Sequence, residues 1–270
     1  MIKIEQKDFL RLVQFIHRNF GIDLSKKMQL IESRLGTTIQ SMGYKDFSAY
    51  VEYITTTKNQ ADIEVLLNKL TTNYTYFMRE KAHFDYFTNT ILPYLAATKK
   101  NKVLSIWSAG CSSGEEPYTL TMLLKDYFGK QAGSWDTRIL ATDISQNALS
   151  TAMKGEYFSD ALKDVPSHWK TEYFTSGSGG KLLLKPSAKN NVIFRTFNLM
   201  EPIRFKIPFD VIFCRNVMIY FDQPTKDALV QRFYQATNPG GYLFIGHSES
   251  VNRATTSYQY IMPATYRKPL

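Results

Sequence analysis

The sequence predicts a doubly wound, mostly parallel α/β sheet preceded by a helical domain, and three observations predict it. From Val103 onward, apolar runs of strand length alternate with segments of helix length. A small-residue turn, Ser108-Ala-Gly-Cys-Ser-Ser-Gly114, separates the first of those runs from a helix start. Before Leu70 there is no clear strand pattern, only apolar stripes at helical spacing.

The stripes come first. Phe9, Leu12, Val13, Ile16 and Phe20 repeat at three or four residues and stop at Gly21; Met28, Ile31, Leu35, Ile39 and Met42 do the same and stop at Gly43. Two shorter helices are expected over Asp46 to Ile54 and Ala61 to Leu70, and together the four make a small bundle. Lys26, Lys27 and Arg34 fall on its polar faces, where they are either plainly solvated or turned toward a partner. The segment Leu70 to Glu80 is rich in hydroxyls for a linker. Asn73 and Thr75 in it either form a turn and cap the next helix, which carries Phe84, Phe87 and Ile91, or serve a ligand. Arg79 reads as lying just inside that helix, where a cation opposes the dipole, and so as a candidate ligand for a carboxylate.

Four strands of the main sheet follow. Val103 to Trp107 precedes the small-residue turn, where Gly110 and Gly114 can adopt positive φ and short side chains let backbone N–H groups approach a ligand. The turn lacks the spacing G-x-G-x-x-G, and by itself it suits a nucleotide-like cofactor and a plain strand-to-helix connection equally. Arg138 to Ser145 is a second strand pattern ending in Asp143, a carboxylate that could accept the two hydroxyls of a ribose, or with Ser145 cap the following helix. Phe209 to Asn216 is the third strand; Gly241 to Gly246 is the fourth, after an expected turn at Asn238-Pro239-Gly240. Gly110, Asp143 and Asn216 all fall at strand carboxyl ends, the rim where doubly wound sheets bind ligands. Between the second and third strands, Trp169 to Phe174, Lys181 to Lys185 and Val192 to Phe197 read as two or three antiparallel strands around the glycine-rich turn Ser176 to Gly180. Such a small sheet either offers an edge to an extended peptide or shields the core.

The 270 residues suffice for one large or two modest domains. No apolar run approaches the roughly 18 residues of a membrane helix, and the first residues do not resemble a signal peptide, so a soluble cytoplasmic protein without membrane insertion is expected. Cys111 and Cys214 cannot build a disulfide framework and are expected reduced. The net charge of +9 points to an acidic partner, but the surplus of basic residues is spread evenly along the chain and marks no basic arm.

Several segments together resemble one family, the chemotaxis receptor protein-glutamate methyltransferases known as CheR. They are Thr72-Asn-Tyr-Thr-Tyr-Phe-Met-Arg-Glu80, Gly114-Glu-Glu-Pro-Tyr118, Ala141-Thr-Asp143, Phe213-Cys-Arg-Asn-Val-Met-Ile-Tyr-Phe221 and Gly246-His-Ser-Glu249. The resemblance implies an N-terminal helical domain over residues 1–70, a linker over 71–82 and a Rossmann-like methyltransferase domain over 83–270 with an antiparallel β-subdomain inserted at about 165–197. It implies S-adenosylmethionine as cofactor, S-adenosylhomocysteine as product, and glutamyl methyl esters on the cytoplasmic helices of methyl-accepting chemotaxis receptors. By the same resemblance Asn73, Thr75 and Arg79 contact the methionine end of the cofactor or the catalytic centre, and Glu116 and Asp143 hold the amino-acid and ribose portions. Asn198 with Leu199 and Arg215 with Asn216 line the pocket begun by Gly110, and Tyr220 lies near the methyl group with Arg79. The linker reads Tyr-Thr-Tyr-Phe-Met where many relatives have a small residue and two phenylalanines. A receptor's C-terminal peptide could tether on the β-subdomain, and a monomer is expected.

This chemistry needs no metal and no general base. A glutamate, with an unperturbed pKa of about 4.3, is already ionised when it meets a sulfonium. Orientation and exclusion of water between opposite charges then carry the rate, and such effects reach about 7–11 kcal/mol in well-aligned reactions. The four histidines show no ligand spacing and receive no catalytic role. Nucleic-acid methylation is the first rival, but Arg215-Asn-Val-Met218 departs from the Asp/Asn-Pro-Pro-aromatic element of base-amine enzymes, and Cys214 follows Phe213 rather than a proline. A signalling module that binds the cofactor without catalysis, or a methyltransferase for another acidic protein, are the remaining alternatives.

Overall fold

A computed structural model describes residues 2–270. Its contacts divide the chain into two units: the chain up to Asn73 together with Tyr220–Thr225, and Tyr74–Ile219 together with Lys226–Leu270.

The first unit holds four helices: α1 (Gln6–Phe20), α2 (Met28–Ser41), α3 (Phe47–Thr57) and α4 (Gln60–Leu70). The apolar stripes are its core, with Leu12, Ile16, Ile31, Leu35, Ile39, Val51, Ile54 and Leu66 fully buried. Helix α1 stops because Gly21 turns left-handed at φ 71° and returns its N–H to the His17 carbonyl. Asp46 and Asn59 cap α3 and α4, accepting from the N–H groups of Ala49 and of Ala61 and Asp62. The short segment around Tyr220 is stitched to this bundle. Asp23 N–H donates to the Tyr220 carbonyl, Ile22 bridges Phe221, and the His17 ring meets Asp222 at 2.9 Å.

The second unit runs α5 (Lys81–Tyr86), a π turn, α6 (Leu92–Thr98), β1 (Ile106–Ala109), α7 (Glu115–Phe128), β2 (Ile139–Asp143), α8 (Gln146–Lys154), β3 (Glu156–Phe158), α9 (Ser167–Tyr173), β4 (Phe174–Ser176), β5 (Lys181–Leu184), α10 (Pro186–Lys189), β6 (Val192–Thr196), β7 (Phe209–Cys214), α11 (Gln223–Ala236), β8 (Thr237–Ile245), β9 (Gln259–Met262) and β10 (Thr265–Arg267). Seven strands form one sheet in the order β6-β2-β1-β7-β8-β10-β9. The first five are parallel; β10 and β9 close one side antiparallel. Because the chain moves from β1 to β2 to β6 on one side and returns to β7 on the other, the order reverses at β1 and β7. That reversal opens a crevice at their carboxyl ends. Buried aromatics fill the layers beside the sheet: Phe213 stacks on Phe244 at 4.6 Å, and Trp107 is ringed by Phe197, Phe205, Phe209 and Phe233.

Three expectations are corrected here. Val192–Thr196 is the edge of the main sheet, parallel to β2, and not a strand of the small one. Its apolar run suited either sheet, and only the pairing of Ile139 to Asp143 against it decides. Residues 169–173 are helical, and the small antiparallel sheet takes Glu156–Phe158 instead, in the order β3-β5-β4, so it begins ahead of the expected insertion. Asn238-Pro239-Gly240 lies within β8, where a register shift against β7 and φ 75° at Gly240 accommodate the proline.

Candidate functional site

At the end of β1 the chain enters the small-residue turn, and its first two amides are fixed to the neighbouring strand: Gly110 and Cys111 N–H both donate to the Thr142 carbonyl, at 2.8 and 2.9 Å. Gly110 stands at φ 85°, and a Cβ there would meet Val217 Cγ2 at 2.4 Å, so the absent side chain lets the turn pack on the loop after β7. Gly114, at φ 95°, opens α7 under the same constraint, with Ala152 Cβ at 2.8 Å. Ser112 N–H, at the crest of the turn, donates to Asp143 Oδ2 at 2.8 Å, while Ser145 N–H donates to Oδ1 at 2.9 Å. Ser145 itself caps α8 through Ala148 N–H, which leaves Asp143 out of the cap. Burial pushes the Asp143 carboxyl above the ordinary aspartate value although these amides oppose it. The Ile144 amide also points at this carboxylate, which with about four acceptor sites keeps capacity for a hydroxyl donor. Phe197 N–H donates to the Asp143 carbonyl at 3.1 Å, which brings Asn198 and Leu199 to the same rim.

Beside this lies a dense ionic knot. Arg215, 7 % exposed, donates Nε to Glu116 Oε2 at 2.7 Å and Nη2 to the Arg79 carbonyl at 2.7 Å; its Nη1 meets His83 Nδ1 at 3.2 Å and its plane lies 4.9 Å from the Phe84 ring. Glu116, in the first turn of α7, accepts Ser108 Oγ on its other oxygen at 2.6 Å. Glu80 accepts from the Asn216 side-chain amide at 3.2 Å and from His247 N–H at 3.1 Å. Burial raises its carboxyl, but the Arg215 guanidinium and these two donors outweigh that and hold it below the usual glutamate range. Burial, and next the adjacent guanidinium, push the wholly buried His83 down to about 4, so its ring is neutral at pH 7. Asn216 sits left-handed at φ 59°.

The structure therefore brings Gly110, Asp143, Asn198, Leu199, Glu116, Arg215 and Asn216 to the carboxyl ends of β1, β2, β6 and β7. Arg79 differs from expectation in place: helix α5 begins at Lys81 with Glu80 before it, so Arg79 precedes the helix and opposes no dipole. Its guanidinium, partly exposed, donates to the Tyr74 carbonyl at 2.8 Å and lies 6.0 Å from the Tyr76 ring. Asn73 and Thr75 lie too far before α5 to cap it; Asn73 belongs to the helical unit, where its Oδ1 accepts Thr71 Oγ at 3.4 Å. Tyr220 is also in that unit, its hydroxyl accepting Thr72 N–H at 3.2 Å and donating to the Thr72 carbonyl at 3.0 Å. Sequence reasoning assigned nothing to Ser108, Glu80 or His83. The spacing of Glu80 and His83, three residues apart on one side of a helix start, was the one available signal. Together with His247 these two offer ligand atoms within 4.8 Å of one another, yet the Arg215 guanidinium, 3.8 Å from Glu80, already supplies the cation there.

Comparison with known proteins agrees with this geometry. Residues 7–71 match the CheR methyltransferase all-alpha domain, and residues 73–267 match the CheR methyltransferase S-adenosylmethionine-binding domain. A chemotaxis protein methyltransferase of Borreliella burgdorferi is 42 % identical over 99 % of this chain and 96 % of its own. Relatives of the same name from Escherichia coli and Salmonella typhimurium are 35 % and 34 % identical, over 92 % and 95 % of this chain and 86 % and 88 % of theirs. A turn fixed between two parallel strands, carboxylates at their ends and matches across nearly the whole length lead to one statement: the chain belongs to the CheR methyltransferase family and carries its S-adenosylmethionine-binding domain.

Proposed function

We propose that the protein methylates glutamate side chains on the cytoplasmic helices of chemoreceptors, forming glutamyl methyl esters. The observation that carries this reading is the rim of the parallel sheet, where the Asp143 carboxylate stands beside the fixed turn and Glu116 is held by Arg215, within a chain whose relatives are named chemotaxis protein methyltransferases. When bound, S-adenosylmethionine supplies an electrophilic methyl group on a sulfonium. Asp143 accepts the ribose hydroxyls; Glu116, Asn198, Leu199 and Asn216, with Gly110 in the turn, complete the pocket. Arg215 faces protein on most of its donors, and so it positions Glu116 and the Arg79 backbone. The Arg79 guanidinium, exposed enough to meet an anion, orients the incoming glutamate, with Thr75 beside it on the same linker. No residue has to take a proton from an acceptor already ionised at neutral pH.

The partner would be a methyl-accepting receptor, and a receptor's C-terminal peptide would pair with an outer strand of the small sheet. Strands β3 and β4 are those edges, and Phe158 on β3, 62 % exposed with Lys181 Nζ 5.2 Å from its ring, offers an aromatic contact. The test is methyl transfer from labelled cofactor to membranes containing chemoreceptors. Base-labile label on receptor glutamates is the expected result; tight cofactor binding with no transfer would replace the enzyme by a sensor.

A further inference from the structure

Glu249 has no part in the ligand assignments above, yet its carboxylate gathers backbone amides from two loops. Its Oε2 accepts the N–H of Asn216 at 2.9 Å and that of Gly246, and its Oε1 accepts the N–H of Ile219 at 3.0 Å. Burial pushes the carboxyl up; the amides of Gly246, Asn216, Ile219 and Met218 pull the other way. The two loops follow β7 and β8, adjacent parallel strands in which Cys214 pairs with Ile245. They touch closely. A Cβ on Gly246 would lie 2.5 Å from the Asn216 side-chain nitrogen and 2.8 Å from its backbone nitrogen, so glycine permits the approach and the carboxylate ties it. Asn216 is left-handed, a conformation that asparagine takes more readily than other non-glycine residues and that the Glu249 carboxylate fixes here through the Asn216 N–H.

We infer that Glu249 is a positioning residue for the cofactor site, holding Asn216 in the left-handed conformation that sets its side chain against Glu80 and beside Arg215. This rests on the assignment of Asn216 to the S-adenosylmethionine pocket. Only a carboxylate suits the place: a glutamine would keep one acceptor oxygen and turn its amide N–H groups toward backbone donors, and an aspartate is one methylene short.

The full chain is compared with E249Q and E249D by hydrogen exchange and by calorimetric titration with S-adenosylhomocysteine. In E249Q the amides of residues 216–219 are expected to exchange at least tenfold faster while those of β7 and β8 keep their protection, and the Kd of the folded protein rises tenfold or more, with E249D between. Unchanged Kd beside faster exchange would reduce Glu249 to a loop fastener and overturn the inference, as would unchanged exchange. Failure of the unmodified protein to bind the product would overturn the pocket assignment itself, and is told apart because all three proteins then give no heat. If E249Q does not fold, E249D carries the same two measurements, and the same outcomes support or overturn the inference.

Discussion

Asp143 is partly buried, accepts a backbone N–H on each oxygen with the Ile144 amide also directed at it, and keeps acceptor capacity for a further donor. Removing it therefore has two consequences that can be separated. If Asp143 holds the ribose as proposed, Asp143→Ala is expected to weaken cofactor binding by roughly 1–3 kcal/mol; it also frees the Ser112 N–H, so the turn after β1 loosens. Calorimetric affinity equal to that of the unmodified protein would remove Asp143 from the pocket. Arg79 makes the opposite case, because its guanidinium meets a carbonyl and a ring of its own linker rather than the ionic knot. If it orients the acceptor, Arg79→Ala lowers kcat more than it weakens cofactor binding, and equal losses would make it a cofactor ligand instead. Asp143 and Asn216 were legible in the sequence because a polar residue ending an apolar strand is a local signal. Glu80 and Glu249 were not. Their roles come from partners 136 and 33 residues away, and no spacing within a motif reports such contacts.

At the scale of elements, the helices of the first unit were legible because each buries one stripe, and period 3.6 survives any arrangement of neighbours. The short strands were not, since Val192-Ile-Phe194 satisfies a parallel edge and a hairpin equally well, and three-residue strands such as Glu156–Phe158 carry too little pattern to notice. The turn after β1 is the element on which the site depends most directly. Gly110→Ala forces a left-handed alanine, about 1–2 kcal/mol, and drives its Cβ into Val217, for another 1–3 kcal/mol. The expected total is about 2–5 kcal/mol in a denaturation series, with cofactor affinity falling as well. Adding Val217→Ala should restore the packing part and leave the backbone part, a coupling that a double-mutant cycle reads. Purely additive losses would mean that the turn and the loop after β7 do not touch.

For the molecule as a whole, the buried knot makes stability depend on pH in a window set by His83. Its ring faces the Arg215 guanidinium at 3.2 Å, the Glu80 carboxylate at 3.4 Å and the exposed ring of His247 at 4.5 Å between centroids. Burial first, and the guanidinium second, bring its pKa from 6.5 to about 4. A folded value below the unfolded one means that the contribution is complete above about pH 6.5 and is lost as the pH falls toward 4. Glu80, held low, acts in the same sense at more acid pH, whereas Glu115, Asp143 and Glu249, held high by burial, take up protons in the folded state above their ordinary range and oppose the loss as the pH falls. Between pH 7 and 5 the histidine by itself should remove about 2 kcal/mol, and comparison with a variant lacking it isolates that part. All three tryptophans, Trp107, Trp135 and Trp169, lie in the sheet-bearing unit, so their emission follows its unfolding without reporting the helical one. Urea midpoints taken by that signal should fall across the interval in the unmodified chain and stay nearly level in His83→Asn, whatever the variant's absolute stability. Equal slopes in the two proteins would mean that His83 is not held neutral, and that the knot around Arg215 is more open to water than its packing implies.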